Sequence, residues 1–303
     1  MPAIGTGNFG KLLWPGINKI YGDRYNQYGR ESKEIFDTSP SYKNFEEDVS
    51  LSGFGMAPIK AEGSGVSYDT QKQAYVTRYT HVTYGLGFII TREMYDDNQY
   101  QQPMLKKASA LALSVYTTQE TVAANVLNRG FSSDYTGGDA VELFSSAHPH
   151  ASGGTWRNEL STPADLSEAA LEQACIDISD FTTDRGIQIK VLPKKLIIPA
   201  ELDFEADRIL KSTLQNDTAN NAINALRITG RFPGGVHINH YLTDAKAWFI
   251  KTDCPEGMRH FERWTNKFSH DNDFDTDNAK FKVVARYSYG WSDPRGCFAS
   301  EGS

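Results

Sequence analysis

The sequence predicts an α+β fold, and three stretches carry that prediction. Residues 103–129 repeat apolar side chains at three- and four-residue steps, as one long amphipathic helix does. Residues 280–291 alternate: Phe281, Val283, Ala285, Tyr287, Tyr289 and Trp291 point one way, and Lys280, Lys282, Arg286 and Ser288 the other. Residues 82–90 alternate in the same manner, with Val82, Tyr84, Leu86, Phe88 and Ile90 sharing a face.

Along the chain, residues 1–50 are broken by Gly5, Gly7, Gly10, Pro15 and Gly16, so no long helix is expected at the start. A short amphipathic piece over 17–28 and a turn or two over 30–37 follow. The aromatics Trp14, Tyr21, Tyr25, Tyr28, Phe36, Tyr42 and Phe45 give this arm rings to lay across a body, its own or a neighbour's. Residues 51–65 are Gly-rich, and 66–90 read as a long, mostly polar strand pair. An isolated hairpin is marginal in water, so this projection points to a partner surface and to oligomerisation.

Pro103 suits a first helical position and Gly130 a stop; the helix between them presents Met104, Ala108, Leu111, Val115, Val122 and Val126 and spans roughly 40 Å. A second helix is expected from 162 or 163 to 183, with the face Leu166, Ala170, Leu171, Ala174, Ile178 and Phe181. A buried strand over 191–198, helices over 200–213 and 218–228, and strands over 236–241, 247–252 and 259–264 precede the final strand. The sequence holds no internal repeat.

A net charge of -7 makes tight direct DNA binding improbable, because an acidic chain releases no DNA counterions. It favours solubility, and salt should help copies meet by screening their repulsion. Cys175, Cys254 and Cys297 are odd in number and far apart, which argues for free thiols rather than a disulfide or zinc framework. No apolar stretch has membrane-spanning length and no signal-peptide core is present, so a soluble protein made in a cytosol is expected.

Candidate chemistry is sparse. His148-Pro149-His150 reads as a turn with solvent-facing imidazoles rather than a metal pair. His237 and His240 lie in a strand-like run that makes their side chains diverge. Asp271, Asp273, Asp275 and Asp277 resemble a calcium loop, but Thr276 stands where Gly is needed and Lys282 where a bidentate Glu is needed. Gly5, Gly7 and Gly10 match a dinucleotide fingerprint only as text, with no strand before and no helix after. No catalytic, cofactor-binding or metal residue is assigned, and the expectation is a protein that is not an enzyme.

Several stretches together resemble tailed-phage major capsid proteins of the Mu-like head-subunit group. They are 143–149, 162–167, Arg185-Gly186, 193–196, 239–244, 247–249 and 289–296, in that order and spacing. The resemblance implies the Hong Kong 97-type (Johnson) fold: an N-terminal arm (1–50), an extended hairpin (51–90), a peripheral domain (91–160) with a spine helix over 103–129, an axial domain (161–279), and a strand returning to the peripheral domain (280–303). It implies hexamers and pentamers closing into a shell that encloses dsDNA without specific binding, with portal, scaffold and decoration proteins as further partners and no membrane or cofactor. The hairpin would lie over the adjacent subunit, non-covalently, although Lys60 and Lys72 are present. Trp14, Tyr21, Tyr25, Tyr68, Lys72, Tyr75 and Arg78 are the expected inter-subunit contacts, and deletion of 64–78 should leave a folded subunit that cannot assemble. An encapsulin shares this fold. A metal-dependent hydrolase using His148, His150 and the 271–277 loop is the rival from another class.

Overall fold

One long helix touches both of the four-stranded sheets that the described residues form. The computed structural model describes residues 10–96, 101–214, 222–273 and 275–303; the side chains of 10–17, 95–96 and 101–105 lie outside that description. The chain opens with α1 (Gly10–Gln27), α2 (Ser32–Ile35), β1 (Asp37–Pro40) and β2 (Phe45–Leu51). After an irregular stretch, β3 (Gln73–Thr80) and β4 (Val82–Ile90) follow with only His81 between them. Next come α3 (Arg92–Asp96) and the spine, α4 (Gln101–Asn128), then β5 (His148–Pro149), β6 (Thr155–Trp156) and α5 (Glu168–Ser179). The remainder is β7 (Pro193–Ile198), α6 (Asp203–Lys211), α7 (Ala225–Thr229), β8 (Val236–Ile238), β9 (Trp248–Thr252), β10 (Met258–Asn272), β11 (Ala279–Trp291) and β12 (Cys297–Ser300).

The first sheet has the order β1-β10-β11-β4. Its alternating strand β11 turns Phe281 and Val283 toward Ala108, Leu111 and Ala112 of α4, as the sequence pattern requires. The second sheet, β12-β9-β7-β8, is buried on both faces. Leu196, Ile198, Trp248, Ile250 and Phe298 pack against Leu171, Ala174 and Ile178 of α5. Their neighbours Ile197, Phe249, Cys297 and Ala299 meet Leu127, Leu143 and Phe144 on the other side. Two buried faces explain the unbroken apolar runs Leu196–Ile198 and Ala247–Ile250. Ser167 caps α5 by accepting from the Ala170 N–H (3.2 Å), so this helix starts later than Pro163 suggested.

Several expectations need correction. The arm contains an 18-residue helix in spite of Gly10, Pro15 and Gly16, because Tyr21 stacks on Phe268 (4.9 Å) and Tyr25 donates to Gln119 (2.8 Å); packing overrides propensity. The strand pair expected within 66–90 does not form. β3 pairs with β2, from Phe45↔Thr80 to Val49↔Val76, while β4 pairs with β11. One residue cannot reverse the chain, since even the tightest common hairpins use two. β10 runs well past Trp264, to Asn272. Residues 297–300 do not stay with the first sheet but form the edge strand β12 of the second. Part of the expected helix over 218–228 lies outside the described residues; α7 covers 225–229.

Asn158 ties three loops together. Its Nδ2 donates to the carbonyls of Leu143 (2.7 Å), Pro294 (3.1 Å) and Cys297 (3.2 Å), and its Oδ1 accepts from the Ser145 N–H (3.0 Å). Asn158→Ala should cost about 3 kcal/mol by leaving buried carbonyls unpaired, read as a lower urea midpoint. His260 stacks on Tyr289 (4.1 Å), with Nδ1 3.1 Å from Thr38 Oγ1 and Nε2 buried without a partner. Burial, then Arg30 and Lys33, push its pKa down to about 4. The unfolded chain takes that proton near the ordinary value of about 6.5, so this contribution is complete above that pH and is lost as pH falls toward 4. The urea midpoint should therefore drop between neutral pH and about pH 5, and His260→Phe should flatten the drop.

Candidate assembly surface

The ribbon β2–β3 carries an irregular tip, residues 52–72, most of it exposed. At its base the Ser52 N–H donates to the Lys72 carbonyl and the Lys72 N–H to Ser52 Oγ, each at 2.9 Å. Further out the Gly55 N–H donates to Asp69 (2.8 Å). The Gly55 and Thr70 amides, and then Arg185, hold the Asp69 carboxyl below the usual carboxylate range. Arg185, in the loop after α5, lies 3.4 Å from Asp69 and also donates to the Thr70 carbonyl, tethering the tip to the second lobe, the part of the subunit built on α5 and the second sheet.

The tip leaves large apolar side chains in water. Ile59 is 100% exposed, Tyr68 96% and Met56 81%, and Phe54, Val66, Val49 and Leu51 are exposed beside them. Scattered exposed apolar residues are ordinary, but seven on one projection make it the candidate contact surface. The signal is present in the sequence, as apolar residues set within a Gly-rich strip.

The expected contact residues divide. Tyr68, Lys72 and Arg78 are exposed, Arg78 lying over the Phe45 ring (3.8 Å) and near Glu47 (3.8 Å). Tyr75 is half-buried and donates to the Pro149 carbonyl (3.1 Å). Tyr21 and Tyr25 face inward: Tyr21 is 5% exposed, and Tyr25 is held by Gln119 and Arg30 (2.6 Å), so the arm uses these rings on its own spine. The Trp14 side chain lies outside the described residues.

His148 is not solvent-facing. It is fully buried between Asp139 (Nδ1, 2.7 Å) and Asn158 (Nε2, 3.1 Å) and stacked on Trp156 (4.8 Å), because the β5–β6 pair folds it inward. His150 is also turned in, 3.7 Å from Asp184. The expected 271–277 loop starts on the end of β10, and beyond it Asp273 is engaged by Lys280 (2.8 Å) and Thr276 (2.9 Å). These groups therefore sit in separate places, and among the described residues no three His, Cys, Asp or Glu side chains converge to hold a metal ion. The three cysteines are free, and burial pushes the Cys175 thiol up to about 11, an unreactive setting. No described helix is long and apolar enough to cross a membrane.

Residues 74–300 match the phage capsid protein family. This chain belongs to that family. The capsid subunit also superposes on a virus-like particle from Pyrococcus furiosus, with 14% identity and a TM-score of 0.53 over 95% of this chain and 99% of that one. The procapsid of bacteriophage JBD30 matches at 13% identity and TM-score 0.50, over 98% of this chain and 76% of that one. A phage-related protein from Bordetella bronchiseptica matches at 11% and 0.51, over 93% and 95%. No curated protein matches in sequence. The α+β capsid fold is thereby established, and the family match favours a phage head subunit over an encapsulin without singling out the Mu-like group.

Because Arg185 is the tip's link to the second lobe, Arg185→Ala should speed proteolytic cleavage within 52–72 several-fold. The melting temperature should stay within about 2 °C of the parent, since an exposed ion pair contributes little to global stability.

Proposed function

We propose that this capsid subunit forms hexamers and pentamers that close into a shell around dsDNA, with the hairpin of each copy lying over the next. The observation that carries this reading is the run of exposed apolar side chains from Val49 to Tyr68 with no core of its own. Phe54, Met56, Ile59, Val66 and Tyr68 would be the contacts at the tip, with Lys72, Tyr75 and Arg78 along the ribbon and Trp14 on the arm. Tyr21 and Tyr25 act indirectly, by fixing the arm to the spine.

Subunits joined head to tail close into rings when the rotation closes, and obligate contacts of this kind bury on the order of 2,000–5,000 Å². The net charge of -7 fits a shell that encloses DNA more than it grips it. Portal, scaffold and decoration proteins are the further partners, assembly takes place in the host cytoplasm, and the subunit has no catalytic role. Membership of the Mu-like group rests on the sequence stretches alone.

Since β3 spans 73–80, deleting 64–78 would remove a strand along with the tip. A cleaner variant is Ile59→Asp with Tyr68→Asp. Ile59 is fully exposed and Tyr68 nearly so, so urea denaturation should place this variant within about 0.5 kcal/mol of the parent, while electron microscopy should find no closed shells. Normal shells from the double variant would exclude the tip as the contact.

A further inference from the structure

His81 is the one residue between the hairpin ribbon and the first sheet, so the chain leaves one and enters the other at this point. Its ring is 4% exposed. Nδ1 lies 2.9 Å from Ser288 Oγ on the body strand β11, and Nε2 lies 2.9 Å from Ser41 Oγ, just before the other leg of the hairpin, β2. Ser41 Oγ itself donates to Glu46 Oε1 (2.7 Å). The only hydrogen of that hydroxyl is thus committed, and Ser41 must accept from Nε2–H. A neutral ring with its proton on Nε2 accepts at Nδ1 from the Ser288 hydroxyl. The chain of donors runs Ser288 to His81 to Ser41 to Glu46, and one imidazole joins both legs of the hairpin to the body.

We propose that His81 is the positioning residue of the hairpin, setting the direction in which it leaves the subunit. This rests on the reading that the hairpin lies over a neighbouring copy. Assembly then depends on a side chain that no neighbour could touch. The charged groups facing the ring are Glu46 from β2, Arg286 from β11, which donates to the His81 carbonyl (3.4 Å), and Arg263 from β10; Phe261 of β10 lies 6.4 Å away, ring to ring. Burial first, and then Arg286 and Arg263 against Glu46, keep the ring neutral. Its folded pKa lies below the ordinary histidine value, so the pin's contribution is complete above about pH 6.5 and weakens progressively as pH falls below that.

The test is amide hydrogen exchange on the unassembled subunit, comparing 45–80 with α4, corrected for intrinsic rates at neutral pH and at about pH 5. At neutral pH His81→Leu should exchange roughly tenfold faster in 45–51 and 73–80 with α4 unchanged. His81→Gln, which keeps an N–H for Ser41, should recover most of that protection. The parent ribbon should loosen at about pH 5, and His81→Leu should show little further change. An unchanged ribbon in His81→Leu, even loosening of ribbon and α4 alike, or an acid response equal to the parent's would overturn the proposal. Electron microscopy of the same variants separates the two ideas: a loosened ribbon with normal shells sinks the overlap reading and leaves the pin standing.

Discussion

The C-terminal end of the spine helix is pressed against one face of the second sheet, and the rest of the subunit depends on that contact. Leu127 and Phe144 from the spine side meet Ile197 and Phe249 from the sheet, with Phe36 and Met258 closing the cluster, all essentially buried. Each such side chain contributes on the order of 1.5–3 kcal/mol by leaving water. The geometry matters as much as the energy. A helix of 28 residues is about 42 Å long, so a tilt of about 5° at this end would move the other by nearly 4 Å. The first sheet and the arm ride on that lever, so a tightly packed joint keeps both lobes in one arrangement.

The arm is fixed to the spine by a different kind of interaction. Glu120 of α4 is buried and accepts from Ser32 N–H (2.7 Å) and Ser32 Oγ (2.9 Å); Gln119 links Tyr25 (2.8 Å) to Tyr289 (3.1 Å). Burial raises the Glu120 pKa, outweighing the Ser32 hydrogen bonds that lower it. The sign is that of a carboxyl stabilised when protonated, whose contribution is present below the ordinary Glu value and lost as pH rises through the folded one. A buried carboxyl is costly unless partnered, so a displaced arm would leave Glu120 without its hydrogen bonds. Arm and spine are therefore joined through buried groups, whereas the hairpin tip is tied by polar contacts near its base and by Arg185 at its side.

This division was only half legible in the sequence. Periodicity reports burial face by face, which is why the spine, α5, β7, β9 and β11 could be placed from it. It does not report partners. Strand β3 alternates no differently for pairing with β2 than it would for pairing with β4, and only the one-residue gap at His81 could have excluded the second. The helix α1 was hidden because Gly10, Pro15 and Gly16 describe local cost, while the gain comes from Phe268 and Gln119, more than ninety residues away in the chain. The far half of β10 is polar and reads as loop, since pairing with β11 and not burial defines it. Gln119 and Glu120 look like solvent-facing residues of a long helix until Ser32 and Tyr25 are seen against them. At the candidate surface, the polar hairpin pattern fits the exposure of Tyr68, Lys72 and Arg78, whereas the aromatic content of the arm does not reveal that Tyr21 and Tyr25 pack on the subunit's own spine.

An exposed apolar strip is a hazard for a subunit made in many copies, and the tip limits it in two ways. Residues 52–72 form no strand, and Gly53, Gly55, Pro58, Gly63 and Gly65 keep the backbone from presenting a flat row of unpaired amides, the usual template for indiscriminate edge pairing. The surplus of negative charge adds a weak, long-range repulsion between copies that salt can screen. Under the proposed overlap, contact through this strip would be specified by side chains and not by the backbone. Side-chain contacts are short in range, so they would form only when the strip arrives at the right place and angle. The angle at which the ribbon leaves the body would then matter as much as the strip itself, and the packed joint at the end of the spine is what holds that body together.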